Sequence, residues 1–144
     1  MAVDPVLLDT CVIVAASVTA HPSHAVARGH VTHLVGQGTP LCICPQICRE
    51  FMVVLTRQPV SGVTFTPEAA IQALDEWRNG CTVLAETPDI VAECLTLVRR
   101  HQVRGKQVHD TNLVAVAIVH GIPTLCTRNA ADFRRFTEIQ IDAL

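Results

Sequence analysis

Short apolar runs that stop at a polar or proline residue, each followed by a longer stretch of helical character, limit most strongly what this chain can fold into. Val6-Leu7-Leu8 stops at Asp9-Thr10, Leu41 to Cys44 stops at Pro45, Thr82 to Ala85 leads into Thr87-Pro88-Asp89, and Pro123 to Thr127 leads into Arg128. Strands that are apolar at every position belong to parallel sheets covered on both faces, and parallel neighbours need a crossover between them. Helices are predicted from Cys11 to Val18 with Thr10 as the N-cap, from His24 to Val35 before Gly36, and from Pro45 to Arg57. Further helices run from Pro67 to Asn79 after the cap Thr66, and from Thr87 to about Val103. Asp110 to His120 is rich in Val and Ile, yet the interleaved Ala115 and Ala117 and the stop at Gly121 predict a helix. Ile139 to Ile141 is the last short strand. No repeat or long linker divides the 144 residues, so the expectation is a single domain spanning 1–144. Strands alternating with helices make it an α/β/α sandwich, a central parallel sheet flanked by helices.

Composition excludes several classes. A chain that is 49% hydrophobic and 17% charged has the apolar surface that disordered segments lack. Its longest purely apolar stretch, Leu113 to Val119, falls far short of the ~20 residues that span a bilayer. Met1 to Leu8 carries no Lys or Arg, so a secretory signal is not expected and the protein is read as cytoplasmic. Seven cysteines, an odd number, lie mostly within apolar runs and are expected to be buried hydrophobes rather than a disulfide framework. Cys42, Cys44 and Cys48 lack the spacing of a structural zinc site, and His30 and His33 on the second helix are read as surface residues. The formal charge of −2 hides a gradient: residues 61–98 hold six acids and one base, whereas residues 99–144 hold seven bases and four acids. A basic C-terminal third is suited to a polyanion.

Ligands of open α/β sheets bind beyond the carboxyl ends of the strands. Four acids fall there: Asp9 directly after the first strand, Glu50 a turn and a half into the helix after the second, Asp110 at the start of the long apolar helix, and Asp132 after the Pro123 to Thr127 strand. Asp9, Asp110 and Asp132 could each serve as an ordinary acid at a helix N-terminus. Glu50 is harder to explain that way, because Ile47, Val53 and Val54 place it at the edge of an apolar helix face. Acids gathered in one place repel and raise one another's pKa unless a cation neutralises them, and oxygen ligands suit Mg²⁺ or Mn²⁺. Competing chemistries fit poorly. Cys11 sits among Val12, Ile13 and Val14, which disfavours a thiolate nucleophile, and Cys94 to Arg100 places a C-x5-R match inside a helix. No Gly-rich phosphate loop follows a strand.

The order and surroundings of the acids resemble the PIN-domain ribonucleases, in particular the VapC-type toxins of toxin–antitoxin pairs. Leu7-Leu8-Asp9-Thr10 resembles the first motif, Ile47-Cys48-Arg49-Glu50-Phe51 the second, His109-Asp110-Thr111-Asn112-Leu113-Val114-Ala115 the third, and Thr127-Arg128-Asn129-Ala130-Ala131-Asp132-Phe133 the fourth. The resemblance covers essentially the whole chain, and its last motif is the most specific. Cys11 departs from it, standing where a small polar residue is usual, which bears on a secondary hydrogen bond rather than on the metal site. The resemblance implies a Mg²⁺- or Mn²⁺-dependent endoribonuclease, with Asp9 and Asp110 as direct metal ligands and Glu50 and Asp132 completing the pocket, through water or by holding a second ion. Thr127 and Asn129 would orient the last loop and touch substrate, while Arg128, Arg134 and Arg104 are candidate phosphate contacts. It further implies an RNA substrate, a cognate antitoxin and a homodimer. A housekeeping PIN nuclease of RNA processing and a PIN-like binding module without turnover are the alternatives; the short chain favours the toxin, and the presence of all four acids disfavours the silent module.

Overall fold

A computed structural model of the protein describes residues 2–144. Among these, the order of elements is β1 (Val6–Leu8), α1 (Thr10–Ser17), α2 (His24–Gly36), β2 (Leu41–Ile43), α3 (Pro45–Arg57), α4 (Pro67–Gly80), β3 (Thr82–Val83), α5 (Pro88–His101), α6 (Gln107–Val119), β4 (Thr124–Thr127), α7 (Ala130–Phe133) and β5 (Gln140–Ala143). The five strands form one parallel sheet in the order β3-β2-β1-β4-β5. The helices pack as two groups, α1 on α2 and α3 with α3 on α4, and α5 on α6 with α6 on α7. This is the sandwich expected from the alternation of strands and helices.

Because the chain leaves β1 toward β2 on one side and later returns to β4 on the other, the strand order reverses between β1 and β4. A crevice opens at the carboxyl ends of strands where such a reversal occurs. The depth at which the flanking helices are buried explains the strand-like Val and Ile content of residues 110–120. In α1 the run Val12 to Ala16 is buried at every position, as is Leu113 to Ala117 in α6. Neither helix presents a wet face there, so neither shows helical amphipathicity, and Val and Ile enrichment mimics a strand. Gly121, at φ +68°, lets the chain turn after α6, with the Ile122 N–H bonded to Ala117 O at 2.8 Å.

Element ends differ from expectation in ways that matter for the crevice. The N-cap of α1 is Asp9 rather than Thr10: Asp9 is extended, and its carboxylate accepts the Thr10 N–H at 2.7 Å. Thr10 becomes the first helical residue, which releases its hydroxyl for another partner. Helix α6 begins at Gln107, three residues before the predicted start at Asp110, so Asp110 lies within its first turn rather than opening it. Cys44 leaves the strand to cap α3, and β3 keeps only Thr82 and Val83.

Candidate active site

The site is built outward from Asp9. Its backbone N–H is held by Cys126 O at 2.9 Å, fixing the end of β1 against β4. Its side chain, 7% exposed, accepts from Thr10 N at 2.7 Å, from Thr127 Oγ1 at 2.8 Å and from Cys11 Sγ at 3.4 Å. Burial nevertheless raises the Asp9 pKa, opposed by these hydrogen bonds and reinforced by the charge of Glu50. Cys11 therefore replaces the expected small polar residue without abandoning the acid. Its sulfur bonds Asp9 and also receives the Arg128 N–H at 3.3 Å, and its thiol is pushed up to about 11 by burial and then by Asp9, as an apolar setting dictates.

Asp110 faces the same crevice from the first turn of α6. Burial, followed by the charges of Asp9, Asp132 and Glu50, lifts its pKa from 3.8 to about 6. Glu50 arrives from α3, and both of its oxygens are engaged: Thr10 Oγ1 donates to one at 2.8 Å and Gln46 Nε2 to the other at 2.8 Å. Gln46 is itself buried. It donates to His109 O at 3.0 Å and accepts from Asn112 Nδ2 at 2.7 Å, linking the helix that carries Glu50 to the one that carries Asp110. From the sequence Thr10 stands out only as a helix cap and within a motif, Asn112 only within a motif, and Gln46 in neither way. The four-residue spacing of Gln46 and Glu50 was a local signal for that pair, whereas the links to Thr10 and Asn112 are purely tertiary.

A pocket of about 840 Å³ opens here, and its lining includes Asp9, Glu50, Asp110, Arg128 and Asn129. Asp132 is exposed on α7 and outside that lining, although its charge reaches Asp110. Thr127 is buried; it donates to Asp9 and accepts the Asn129 N–H at 3.0 Å, which ties the loop after β4 to the end of β1. Of the three candidate phosphate-binding arginines, Arg128 lines the pocket with its guanidinium bonded to Ser23 Oγ at 2.7 Å, while Arg134 and Arg104 are exposed outside it. Arg49, Arg57, His21 and His109 also line it.

Among the described residues, none of the four acids pairs with a Lys, Arg or His. The nearest basic wall is committed elsewhere in part, since Arg49 leans toward Glu86 at 3.9 Å. Among the described residues, no three of the carboxylates bring ligand atoms within 4.8 Å of one another; Asp9, Glu50 and Asp110 line the opening and Asp132 stands outside it. Carboxylates with raised pKa values that form no ion pair among the described residues offer oxygen donors that fit a hard divalent cation keeping part of its water shell.

A crevice at the strand-order reversal of a parallel sheet, ringed by acids in this order, defines the class: the chain belongs to the PIN domain family, which it matches over residues 6–139. Among individual proteins, it is 28% identical over 136 residues to Ribonuclease VapC48 of Mycobacterium tuberculosis, covering 92% of each chain. Its fold is similar to that of VapBC2 from Rickettsia felis bound to a DNA fragment from their promoter, with TM-score 0.70, 15% identity, and coverage of 96% of this chain and 98% of that one. It is also similar in fold to VapC20 of Mycobacterium tuberculosis, a sarcin-ricin loop cleaving toxin, with TM-score 0.62, 19% identity, and coverage of 83% and 86%. No helix of the described residues is long and apolar enough to cross a membrane.

Proposed function

We propose that this PIN-domain protein is a divalent-metal-dependent endoribonuclease acting as the toxin of a toxin–antitoxin pair in the cytoplasm. The observation that carries this reading is the acidic pocket at the ends of β1 and α6, where Asp9 and Asp110 have raised pKa values and, among the described residues, form no ion pair. In this reading Asp9 and Asp110 hold a Mg²⁺ or Mn²⁺ ion directly, with Glu50 and Asp132 acting through water or on a second ion. When bound, the ion supplies a water of lowered pKa and charge stabilisation at the attacked phosphate. The protein's own groups prepare the site for it. Thr127, Thr10 and Cys11 aim the Asp9 carboxylate, while Thr10 and Gln46 fix both oxygens of Glu50. Arg128, Arg49 and Arg57 line the pocket and in this reading meet RNA phosphates that the acids alone would repel.

The printed names of the relatives, a ribonuclease and a toxin that cleaves the sarcin-ricin loop, support RNA as the substrate class. A fold neighbour in complex as VapBC supports a cognate antitoxin as partner. The same acidic pocket is a target for an antitoxin Arg or Lys inserted near Asp9, Glu50, Asp110 and Asp132 in competition with the metal. A homodimer completes the reading. Sequencing of RNA ends after brief expression, beside an Asp9→Asn control, tests the activity. Defined cleavage sites absent from the control are expected; equal cleavage by the control, or by purified protein in excess EDTA, overturns it.

A further inference from the structure

A second cluster of ligating side chains lies away from the acidic pocket. Cys126 in β4 and Asp142 in β5 are register partners in the parallel sheet, so their side chains leave the same face side by side. His30 of α2 lies over that face, and its Nε2 stands 2.6 Å from Asp142 Oδ2. By sequence spacing His30 pairs with His33 on a surface face of α2. The fold instead turns it beside the buried stripe of Ala27, Val31 and Leu34, and leaves His33 exposed. The ligand atoms of His30, Cys126 and Asp142 all lie within 4.8 Å of one another, the sole such group among the described residues.

We propose that His30, Cys126 and Asp142 form a binding site for a borderline transition-metal ion, Zn²⁺ in the first instance, distinct from the all-oxygen site for Mg²⁺ or Mn²⁺. One nitrogen, one sulfur and one oxygen donor suit Zn²⁺, which is four-coordinate with such ligands, and do not suit a hard ion. Cys126 is fully buried, whereas the side chains of His30 and Asp142 are 24% and 28% exposed. The site thus opens to solvent on the side where a water would complete the tetrahedron. Binding is balanced in charge: the thiol releases its proton to solvent, the imidazole binds neutral, and thiolate plus carboxylate cancel the dication. Without a cation the thiol stays protonated, held there by burial and by the neighbouring Asp142. The present 2.6 Å contact is a hydrogen bond. Around an ion with ~2 Å bonds, the nitrogen and oxygen would stand about 3.3 Å apart, a separation reached by a small adjustment of two partly exposed side chains. The ion would tie the edge strand β5 to α2.

Titration of the full-length protein with Co²⁺, a spectroscopic substitute for Zn²⁺, tests the site. One equivalent should produce a thiolate-to-cobalt charge-transfer band, abolished in Cys126→Ser and retained in Cys42→Ser. His30→Gln and Asp142→Asn should each weaken Co²⁺ affinity at least tenfold, while Asp110→Asn leaves it unchanged. Zn²⁺ should displace Co²⁺ and raise the Tm of the wild type more than that of these two variants. Absence of the band in the wild type, or its persistence in Cys126→Ser, overturns the proposal. Should Cys126→Ser fail to fold, unchanged affinity in both His30→Gln and Asp142→Asn overturns it as well.

Discussion

Asp9 and Asp132 follow β1 and β4, neighbours in the sheet, and both sit at the start of a helix, yet the fold treats them differently. Asp9 is almost fully buried and receives three hydrogen bonds, from a backbone amide, a hydroxyl and a thiol. Asp132 is exposed, and among the described residues no hydrogen bond reaches its carboxylate. The same contrast runs through the whole pocket. Its inner half, made by β1, α1, α3 and α6, holds Asp9 and Glu50 through hydrogen bonds to buried partners, with Asp110 half-buried beside them on a helix that Gln46 ties to α3. Along its outer side, the loop after β4 and the α7 segment carry Asn129, Asp132 and Arg134 exposed to solvent, and of these only Asn129 lines the pocket. Preorganised electrostatics demand groups that do not have to be ordered when charge develops, and only the inner half meets that condition.

The largest effect is therefore expected from the inner acids. Asp9→Asn and Asp110→Asn should each lower metal-dependent cleavage by about 100-fold or more, the scale on which lost preorganised contacts are felt, while Asp132→Asn should cost roughly tenfold. Equal losses for all three in a steady-state cleavage assay would erase the distinction between inner wall and rim.

The second test concerns the buried link between α3 and α6. Gln46→Leu leaves Glu50, His109 O and Asn112 without their shared partner. It should lower kcat about tenfold with little change in KM, and cost stability by about 1–3 kcal/mol for the orphaned polar groups. Asn112→Leu removes only the outer end of the link and should cost less on both counts. A Gln46→Leu protein with wild-type kcat would show that Glu50 needs no such support.

Protonation gives a third, smaller test. The folded pKa of Asp110, about 6, lies above its ordinary value of 3.8, so between these values the folded chain binds more protons than the unfolded one. Metal-free protein should accordingly gain stability as the pH falls from about 6 toward about 4, with the repulsion fully present above pH 6. Asp110→Asn should flatten that part of the Tm-versus-pH curve. Divalent metal should reverse the trend, because the ion favours the ionised acid. A metal-free curve that is unaffected by Asp110→Asn would contradict the burial and crowding that raise this acid.

The smallest expected effect separates two arginines that look alike in sequence. Arg128 lines the pocket and Arg134 does not. Arg128→Ala should reduce the salt slope of single-stranded RNA binding by about 0.7, one phosphate contact, and Arg134→Ala by less. Equal slopes from filter binding at several salt concentrations would place the RNA path over the rim as well.

How much of this could be read in advance follows from the range of each interaction. The strand-and-helix alternation, the positions of all four acids and the helical character of residues 110–120 depend on local periodicity, caps and stops, which lie within a few residues of one another. The sequence by itself therefore determined a parallel-sheet domain with carboxylates at the strand ends, and the expectation that crowding would raise their pKa. The tertiary structure decided the rest. It decided that Asp9 rather than Thr10 caps α1, because only in the folded crevice does Thr10 find Glu50 forty positions away. Packing brought Gln46 to Asn112 and set Arg128 inside the pocket but Arg134 outside it. It likewise turned His30 from a surface helix residue into a neighbour of Cys126 and Asp142, more than ninety positions along the chain. The physical reason is common to all of these. Hydrogen bonds and ligand geometry act over about 3 Å, and such contacts between distant residues exist only after the burial of apolar faces has brought their helices and strands together.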